Sequence, residues 1–380
     1  MSTRNSGLSP KLCLPRSRVG RKPGAPHRRC ACGFACCPLR AGAPFGSTPW
    51  RELTGRAVTT PFPARPGELD AAWLSEALGR PVDEFRLRPI GTDRGNLGEL
   101  VLVEFDDDQS VVAKFAAERA ETLASARRSG LFEREIRFYR ELAPQLGLRL
   151  PRLFAADYDP TTARFVMLLE YVAPTEDLDT VRGIGVERAR EVLDALARLH
   201  ADGRRFAATP WLQSMTFKGR IDNLTMLISR GWPRLAAMCG DLVPPSVGDH
   251  LADRFVDTMH HLAGLEQTLV HGDVKPDNLL ADDQGVVLID WQAVGCGPPA
   301  WDVASCMYTC LTTEDRRRHG ESLLADYPHD LAGYDESLVF GLVVACALTM
   351  LGDPDEPRLI DLVTTMTERT VSAMADAGVL

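Results

Sequence analysis

The chain has 380 residues, of which 45% are hydrophobic and 25% charged, and its formal net charge is −9. This composition is ordinary for a globular protein and excludes collagen, a continuous coiled coil and disorder of the whole chain. The longest apolar run, 338–351, is shorter than the roughly 20 residues that cross a bilayer. We therefore predict a buried helix there and no membrane span.

Charge is distributed unevenly along the chain. Residues 1–60 hold eleven Lys or Arg and a single acidic residue, Glu52, so the rest of the chain carries −19. Nucleic-acid binding requires clustered positive charge, and an acidic body therefore argues against a nucleic-acid partner. Such a body is compatible with a cationic small molecule, and equally with negative charge that only maintains solubility.

Residues 1–57 differ in composition from the rest of the chain. They are rich in Arg, Pro, Gly and Ser, have no periodicity and lack the apolar segment of a secretory signal. Five cysteines lie here, but no second ligand pair follows at zinc-finger spacing. We expect a disordered basic tail or an over-extended start. The other five cysteines lie in largely apolar surroundings, which is typical of a reducing compartment and predicts a cytoplasmic protein.

From 58 onward the pattern predicts a sheet followed by helices. After a helix over 68–78, β-rich segments occupy 85–90, 99–105, 110–115, 152–158 and 164–171, with one helix over 120–143. Later segments, including 186–201 and 249–265, have helical apolar spacing. We expect an N-terminal lobe over 58–172 and a C-terminal lobe over 173–380.

Two features of the first lobe concern phosphate. The loop between the first two strands contains Gly91, Gly95 and Gly98, whose backbone amides can approach an anion closely, although hairpin glycines are more often only turn residues. Lys114 lies in a strand between apolar residues, and a buried charge there requires an anionic partner. The following helix offers Glu133 and Glu135. The alternative for Lys114 is an edge-strand lysine in water.

The chemistry-bearing segment is 271–290. If 279–280 and 286–289 pair across the turn at 282–285, Asn278 and Asp290 emerge at the same end of the hairpin. An amide oxygen and a carboxylate suit Mg²⁺. Asp273, five residues before Asn278, could then orient or deprotonate a hydroxyl. The alternative is a pair of polar turns with solvated acids.

These motifs resemble a known family. His-Gly-Asp-x-x-x-x-Asn at 271–278, followed by Ile-Asp-Trp-Gln at 289–292, resembles the aminoglycoside phosphotransferase and choline kinase superfamily. Asp-Trp-Gln and Phe-Tyr at 138–139 most resemble its ecdysteroid-kinase-like (CHK kinase-like) branch. The resemblance covers about 85–305 and implies an α+β, protein-kinase-like two-lobed fold, with a small antiparallel-sheet N-lobe and a larger helical C-lobe. It also implies transfer of the γ-phosphoryl of Mg·ATP to a small-molecule hydroxyl.

The resemblance also implies residue roles. Asp273 corresponds to the catalytic aspartate, and Asn278 and Asp290 to the Mg²⁺ ligands. The residues that would hold ATP are the loop glycines, the phosphate-binding lysine, its glutamate partner and the adenine-contacting hinge: Gly91, Gly95, Gly98, Lys114, Glu135, Glu170, Tyr171 and Val172. His271 and Asp302 correspond to residues that brace the catalytic loop.

Lys275 departs from the family pattern and resembles the loop lysine of protein serine/threonine kinases. It could stabilise transition-state charge as a catalytic residue, or it could be a solvated lysine. The Lys-Pro pair also raises the alternative of an atypical protein kinase. Against this, Asp302 follows Asp290 after only twelve residues, which leaves no room for an activation segment.

A catalytically inactive kinase-fold binding protein is the other alternative. Such proteins usually lose the lysine, the catalytic aspartate or the metal aspartate, and this chain retains all three. A P-loop phosphotransferase is excluded, because no Gly-x-x-x-x-Gly-Lys-Ser/Thr occurs. Aminoglycoside, choline-like, sugar and sterol alcohols all fit the sequence as acceptors, and nothing in it indicates an oligomeric state. Acidic residues such as Asp253, Asp257 and Asp315 favour an amine-bearing substrate, or are ordinary solvated helix faces.

Overall fold

An antiparallel sheet organises the first part of the chain. The computed structural model describes residues 62–91, 98–106, 109–351 and 355–380, all within one compact unit that spans 47–380. The strands are β1 (Phe85–Ile90), β2 (Gly98–Phe105), β3 (Ser110–Ala116), β4 (Leu153–Tyr158) and β5 (Phe165–Glu170), in the order β1-β2-β3-β5-β4. All five predicted strands are confirmed. The tail over 1–57 and Gly95 lie outside the described residues.

The two faces of the sheet are covered differently. Helix α1 (Ala71–Leu78) begins after Asp70, whose side chain accepts a hydrogen bond from Trp73 N at 2.7 Å. Trp73 packs in the same buried cluster as Ala113 and Phe115 of β3. Because successive strand residues point to opposite faces, Lys114, which lies between them, points to the other face.

The helix predicted over 120–143 is wrong as a single element. It divides into α2 (Ala120–Ser129) and α3 (Leu131–Arg137), because Gly130 adopts a left-handed conformation with φ of 65°. A residue in this conformation ends an α-helix, and glycine adopts it without a Cβ clash. After α3 the backbone widens into a π-helical turn over Phe138–Leu142. Because of this break, α3 is a separate helix, and Glu135 lies near its C-terminal end.

The remainder is mainly helical, as predicted. Its helices are α4 (Gly185–Gly203), α5 (Lys218–Cys239), α6 (Pro245–Ala263), α7 (Ala300–Thr309), α8 (Thr313–Ala325), α9 (Tyr334–Ser337), α10 (Phe340–Leu351) and α11 (Pro357–Asp376). Four short strands lie between α6 and α7: β6 (Thr268–Val270), β7 (Leu279–Asp282), β8 (Gly285–Leu288) and β9 (Gly295–Gly297). β6 pairs with β9, and β7 pairs with β8 in a hairpin. The fold is therefore α+β, with a small sheet and a larger helical part.

The apolar run at 338–351 forms a buried helix, as the sequence predicts. Helix α10 packs directly against α5, where Gly231 allows close contact: a Cβ there would lie 2.5 Å from the Cys346 carbonyl oxygen. Side chains such as Leu342 and Cys346 are fully enclosed. Within the described ranges, none of the helices is both long enough and apolar enough to cross a membrane.

Candidate functional site

Lys114 joins the sheet to the β7–β8 hairpin. Its Nζ donates to both carboxylate oxygens of Glu135, each at 2.8 Å, and to Asp290 Oδ1 at 2.9 Å. The edge-strand alternative is therefore wrong, since Lys114 is 7% exposed and lies in the middle strand β3. Glu133 lies 3.9 Å from Arg137 instead. The partner of Lys114 is therefore Glu135, the glutamate that the family resemblance implies.

One ammonium here balances two carboxylates. Burial raises the pKa of the Glu135 carboxyl to about 7, although Lys114 opposes the shift. Burial also acts to raise the pKa of Asp290, but Lys114 outweighs it and holds the pKa below its ordinary value. Burial alone would lower the pKa of Lys114, whereas both carboxylates raise it above the ordinary value. The cluster keeps a charged lysine and an ionised Asp290 together.

Asp290 has an unusual backbone. It adopts a left-handed conformation with φ of 62° and ψ of 64°, which costs a residue with a Cβ about 1–2 kcal/mol. Two contacts hold it: Gln292 Nε2 donates to Asp290 Oδ1 at 2.6 Å, and Trp291 stacks on Phe138 with ring centroids 3.9 Å apart. This turn directs the Asp290 carboxylate toward Lys114.

Asp273 and Asn278 lie on one loop and contact each other. Asn278 Nδ2 donates to the Asp273 backbone oxygen at 2.8 Å and to Asp273 Oδ2 at 2.9 Å. Ile289 N donates to the Asn278 carbonyl at 3.0 Å, which extends the β7–β8 pairing by one step. Asn278 and Asp290 therefore emerge at the same end of the hairpin, as predicted.

Lys275 is not a solvated lysine. Its ammonium hydrogen-bonds Asp273 Oδ2, and its side chain is 21% exposed. Burial acts to lower the pKa of Lys275, but Asp273 outweighs it and Asp290 adds to the rise. Lys275 is therefore bonded to Asp273 and within electrostatic reach of Asp290.

Asp302 braces the 271–278 loop from α7. Its fully buried carboxylate accepts from His271 N at 2.7 Å and from Gly272 N at 2.8 Å, and it contacts His200 Nε2 at 3.2 Å. His271 Nε2 donates to the Ile289 carbonyl at 2.9 Å. Gly272 has a φ of 82°, and a Cβ there would lie 2.6 Å from the Ala293 oxygen. The bracing roles predicted for His271 and Asp302 fit these contacts.

We expect the substitution Asp302→Ala to lower the free energy of unfolding by about 3 kcal/mol, because it leaves buried backbone donors unpaired. Denaturant titration followed by circular dichroism measures this change. The matched control is Asp241→Ala, since Asp241 is exposed. Equal stability of the two variants would contradict the bracing role of Asp302.

The C-terminal helix also secures the 271–278 loop. Arg358, near the start of α11, lies 3.2 Å from Asp277 Oδ1 and 2.6 Å from Asp179 Oδ2. Thr180 Oγ1 donates to Asp277 Oδ2. Because Asp277 directly precedes Asn278, α11 and the 179–180 segment anchor the loop next to that residue.

Of the other predicted nucleotide residues that the structure describes, Gly98 lies beside Lys114, and the rest lie at the ends of β1 and β5. Gly91 follows β1 with a φ of 64°, and Gly98 pairs with Ala116, where a Cβ would lie 3.7 Å from Lys114 Cε. The predicted hinge follows the end of β5: Glu170 Oε2 accepts from Arg152 N at 3.0 Å, Tyr171 is partly exposed and Val172 is buried.

Three site-lining residues were not found by sequence reasoning. Gln292 is the last residue of the Asp-Trp-Gln motif, so its place next to Asp290 could have indicated a role at the site. Arg134 donates to the Gln292 carbonyl at 3.3 Å, and Arg220 lies over the Trp301 ring at 5.8 Å. Neither arginine belongs to a motif in the sequence.

Residues 87–337, roughly two thirds of the chain, match the model of the phosphotransferase enzyme family. The chain belongs to this family. The predicted superfamily is thereby confirmed. A comparison of this phosphotransferase with curated protein sequences finds no significant match.

Solved structures share the fold of this phosphotransferase. A choline kinase from Cryptosporidium parvum superposes with a TM-score of 0.50 at 12% identity, over 78% of this chain and 91% of that one. An aminoglycoside 2′-phosphotransferase mutant in complex with GDP gives a TM-score of 0.50 at 16% identity, over 75% and 91%. The predicted kinase-like two-lobed fold is confirmed.

Proposed function

We propose that this phosphotransferase transfers the γ-phosphoryl of Mg·ATP to a hydroxyl of a small molecule. The observation that supports it most is the bonding of Lys114 to both Glu135 and Asp290, with Asp273 and Asn278 in contact on the adjoining loop. The proposal divides the chain into a nucleotide-binding lobe at 58–172 and a catalytic and acceptor lobe at 173–380. The structural relatives named above are a kinase of choline and a phosphotransferase of aminoglycosides, both with small-molecule acceptors.

The donor set fits Mg²⁺. Asn278 uses its amide nitrogen for Asp273, which leaves its Oδ1 as a ligand beside the Asp290 carboxylate. Gln292 Oε1 is a third oxygen, buried and without a partner among the described residues. Oxygen-only sets of this kind suit hard cations. Bound there, Mg²⁺ would neutralise negative charge on the β- and γ-phosphates.

Lys114 would hold the phosphates of ATP, and Glu135 would keep its ammonium in place. Gly91, Gly95 and Gly98 would supply the loop over the phosphates, and Glu170, Tyr171 and Val172 the contact with adenine. These nucleotide roles follow the family pattern, as does the placement in the ecdysteroid-kinase-like branch that Asp-Trp-Gln favours.

Asp273 would orient the acceptor hydroxyl and take its proton. Its Oδ2 already accepts from Lys275 and Asn278, so Oδ1 is the oxygen that remains for the hydroxyl. The proton would pass to Oδ1 late in the transfer, because phosphoryl transition states are loose. Lys275, held beside Asp273, would offset negative charge that develops on the transferring group.

Two alternatives have less support. A protein kinase needs an activation segment after the metal aspartate, whereas here β9 and α7 follow Asp290 directly. An inactive binding protein does not require Lys114 to bond both Glu135 and Asp290, or Asn278 to bond Asp273 on the adjoining loop.

The proposed function is tested by an ATP-consumption screen with the full-length protein over a library of alcohols. We expect at least one alcohol to raise ATP consumption well above the background hydrolysis measured without acceptor, and the product to carry a new phosphomonoester by mass spectrometry. Folded protein that binds Mg·ATP and phosphorylates no alcohol in the library would favour the inactive binding protein.

A further inference from the structure

Several cationic side chains lie near Asp273. Arg134, Arg220 and Lys275 approach this region, and Lys275 already pairs with Asp273. Arg134 is 7% exposed, and it donates hydrogen bonds to three uncharged groups: the Gln292 carbonyl at 3.3 Å, Gln213 Oε1 at 3.2 Å and the Ser129 carbonyl at 2.8 Å. Two arginines are therefore left without a carboxylate bonded to them in the described part of the chain.

Arg220 lies beside the 271–278 loop. It is the third residue of α5, and its guanidinium faces the ring of Trp301, the neighbour of Asp302. The Asp273 carboxylate acts on it electrostatically: burial and Arg134 lower the pKa of Arg220 to about 9, and Asp273 opposes that shift. Arg220 therefore lies next to the neighbour of Asp302, the residue that braces the 271–278 loop, and within electrostatic reach of the proposed catalytic base.

Apart from the Trp301 ring, the Arg220 side chain has no bonded partner among the described residues. Its Nε is buried and makes no hydrogen bond, and no acidic side chain among the described residues forms an ion pair with it. Arg369 is an internal comparison, because that buried arginine donates to three carbonyls, those of Thr180, Val181 and Thr309, at 2.7–3.1 Å. Arg220 is half-buried, and its Nε is an enclosed donor without an acceptor, which is costly. This free donor indicates an acceptor that the described residues do not supply.

We propose that Arg220 binds an anionic group of the acceptor, a carboxylate or similar oxyanion, so that the substrate is a hydroxy acid. This inference rests on the proposed function. A guanidinium suits such groups because its planar fork of donors matches two oxygens at once. The hydroxyl would then lie at Asp273 Oδ1 and the anionic group at Arg220, with the chain between them setting the substrate length.

The net charge of the chain does not argue against this. Asp253 and Asp257, which would favour an amine, are exposed on α6. Asp315 forms the N-terminal cap of α8 with Thr312. None of these three acids forms an ion pair with Arg134, Arg220 or Lys275 within the described residues, so their charges are ordinary features of helix surfaces and caps.

The test uses full-length protein, saturating Mg·ATP, and matched pairs of hydroxycarboxylic acids and their primary amides. We expect the acid of at least one pair to have a KM at least tenfold below that of its amide. The Arg220→Gln variant should raise the KM of that acid by about 10- to 100-fold, since a charged hydrogen bond contributes about 1.5–3 kcal/mol, and should reduce the preference over the amide. Arg220→Lys should fall between, and the control Arg230→Gln, at an exposed position of the same helix, should match wild type.

Calorimetry with Mg·ATP separates the other outcomes. If Arg220→Gln weakens Mg·ATP binding and leaves the KM of the acid unchanged, Arg220 contacts the nucleotide and the inference is wrong. If wild type phosphorylates amine-bearing or neutral alcohols and no hydroxy acid, the inference is wrong while the proposed function stands. If no alcohol of any kind is phosphorylated, both fail. Circular dichroism of both Arg220 variants shows whether they fold, and Arg220→Lys keeps the test valid if Arg220→Gln does not.

Discussion

The Asp273→Asn variant is expected to lose about a hundredfold or more in kcat, which is the usual contribution of a positioned general base. The amide has the same shape as the carboxylate and can still accept from Lys275 or Asn278, but it cannot take the hydroxyl proton. Affinity for Mg·ATP should change little, because Asp273 is proposed to contact the acceptor. Steady-state kinetics with an acceptor found by the screen, together with calorimetry, measure both quantities.

The matched control for this variant is Asp283→Asn. Asp283 is exposed in the β7–β8 turn, so the same change of charge there should leave kcat as in wild type. An Asp273→Asn enzyme with wild-type turnover would remove the base from the proposed mechanism. A large loss in Mg·ATP affinity with unchanged kcat would instead assign Asp273 to nucleotide binding.

The sequence predicted that Lys114 needs an anionic partner, and the family resemblance selected Glu135 rather than Glu133 for that role. Residues alternate across a strand, so a lysine between Ala113 and Phe115 must leave the face that they bury. A lysine directed inward needs an anion, and Glu135 of the next helix is the carboxylate that the structure brings to it. Asn278 and Asp290 were predictable for a similar reason, because the pairing of β7 with β8 alone determines that they emerge together.

Other parts of the site depend on contacts between distant segments. Arg358 reaches Asp277 across 81 positions of sequence, and no local pattern indicates the pairing. No sequence pattern distinguishes Arg220 from other helix residues. Its contact with Trp301 and its electrostatic interaction with Asp273 arise only in the folded chain. The helix predicted over 120–143 is divided at Gly130 because this residue adopts a left-handed conformation. The apolar spacing of the sequence gives no sign of that conformation.

The distribution of charge around the site is also not predictable from the sequence. The formal net charge of −9 describes the surface of the whole chain, and it led to the alternative of an amine-bearing substrate. Electrostatic interactions at a site are set by the few groups within several ångströms of it, since screening by salt removes the rest over about 8–10 Å. The cluster of Arg134, Arg220 and Lys275 therefore carries more weight than the overall composition.

The Asp290→Asn variant is expected to lose most of the difference in ATP affinity between solutions with Mg²⁺ and with EDTA. Asparagine is the appropriate replacement because it tolerates the left-handed backbone of this position, where φ is 62°, better than alanine does. With Mg²⁺, affinity should fall by about tenfold to a hundredfold, since a charged ligand to the cation becomes neutral. Without Mg²⁺, affinity should rise slightly, because Lys114 no longer shares its charge with Asp290 and is freer to bind phosphate.

These opposite changes distinguish a metal ligand from a residue that only supports the fold. Partial unfolding would weaken ATP binding in both solutions, whereas loss of a metal ligand weakens it in one and strengthens it in the other. Calorimetric titration of ATP into wild type, Asp290→Asn and the exposed control Asp283→Asn, each with Mg²⁺ and with EDTA, gives the six affinities required. A wild-type ratio of the two affinities in Asp290→Asn would show that Asp290 does not bind the metal, because neutralising a true ligand must reduce that ratio.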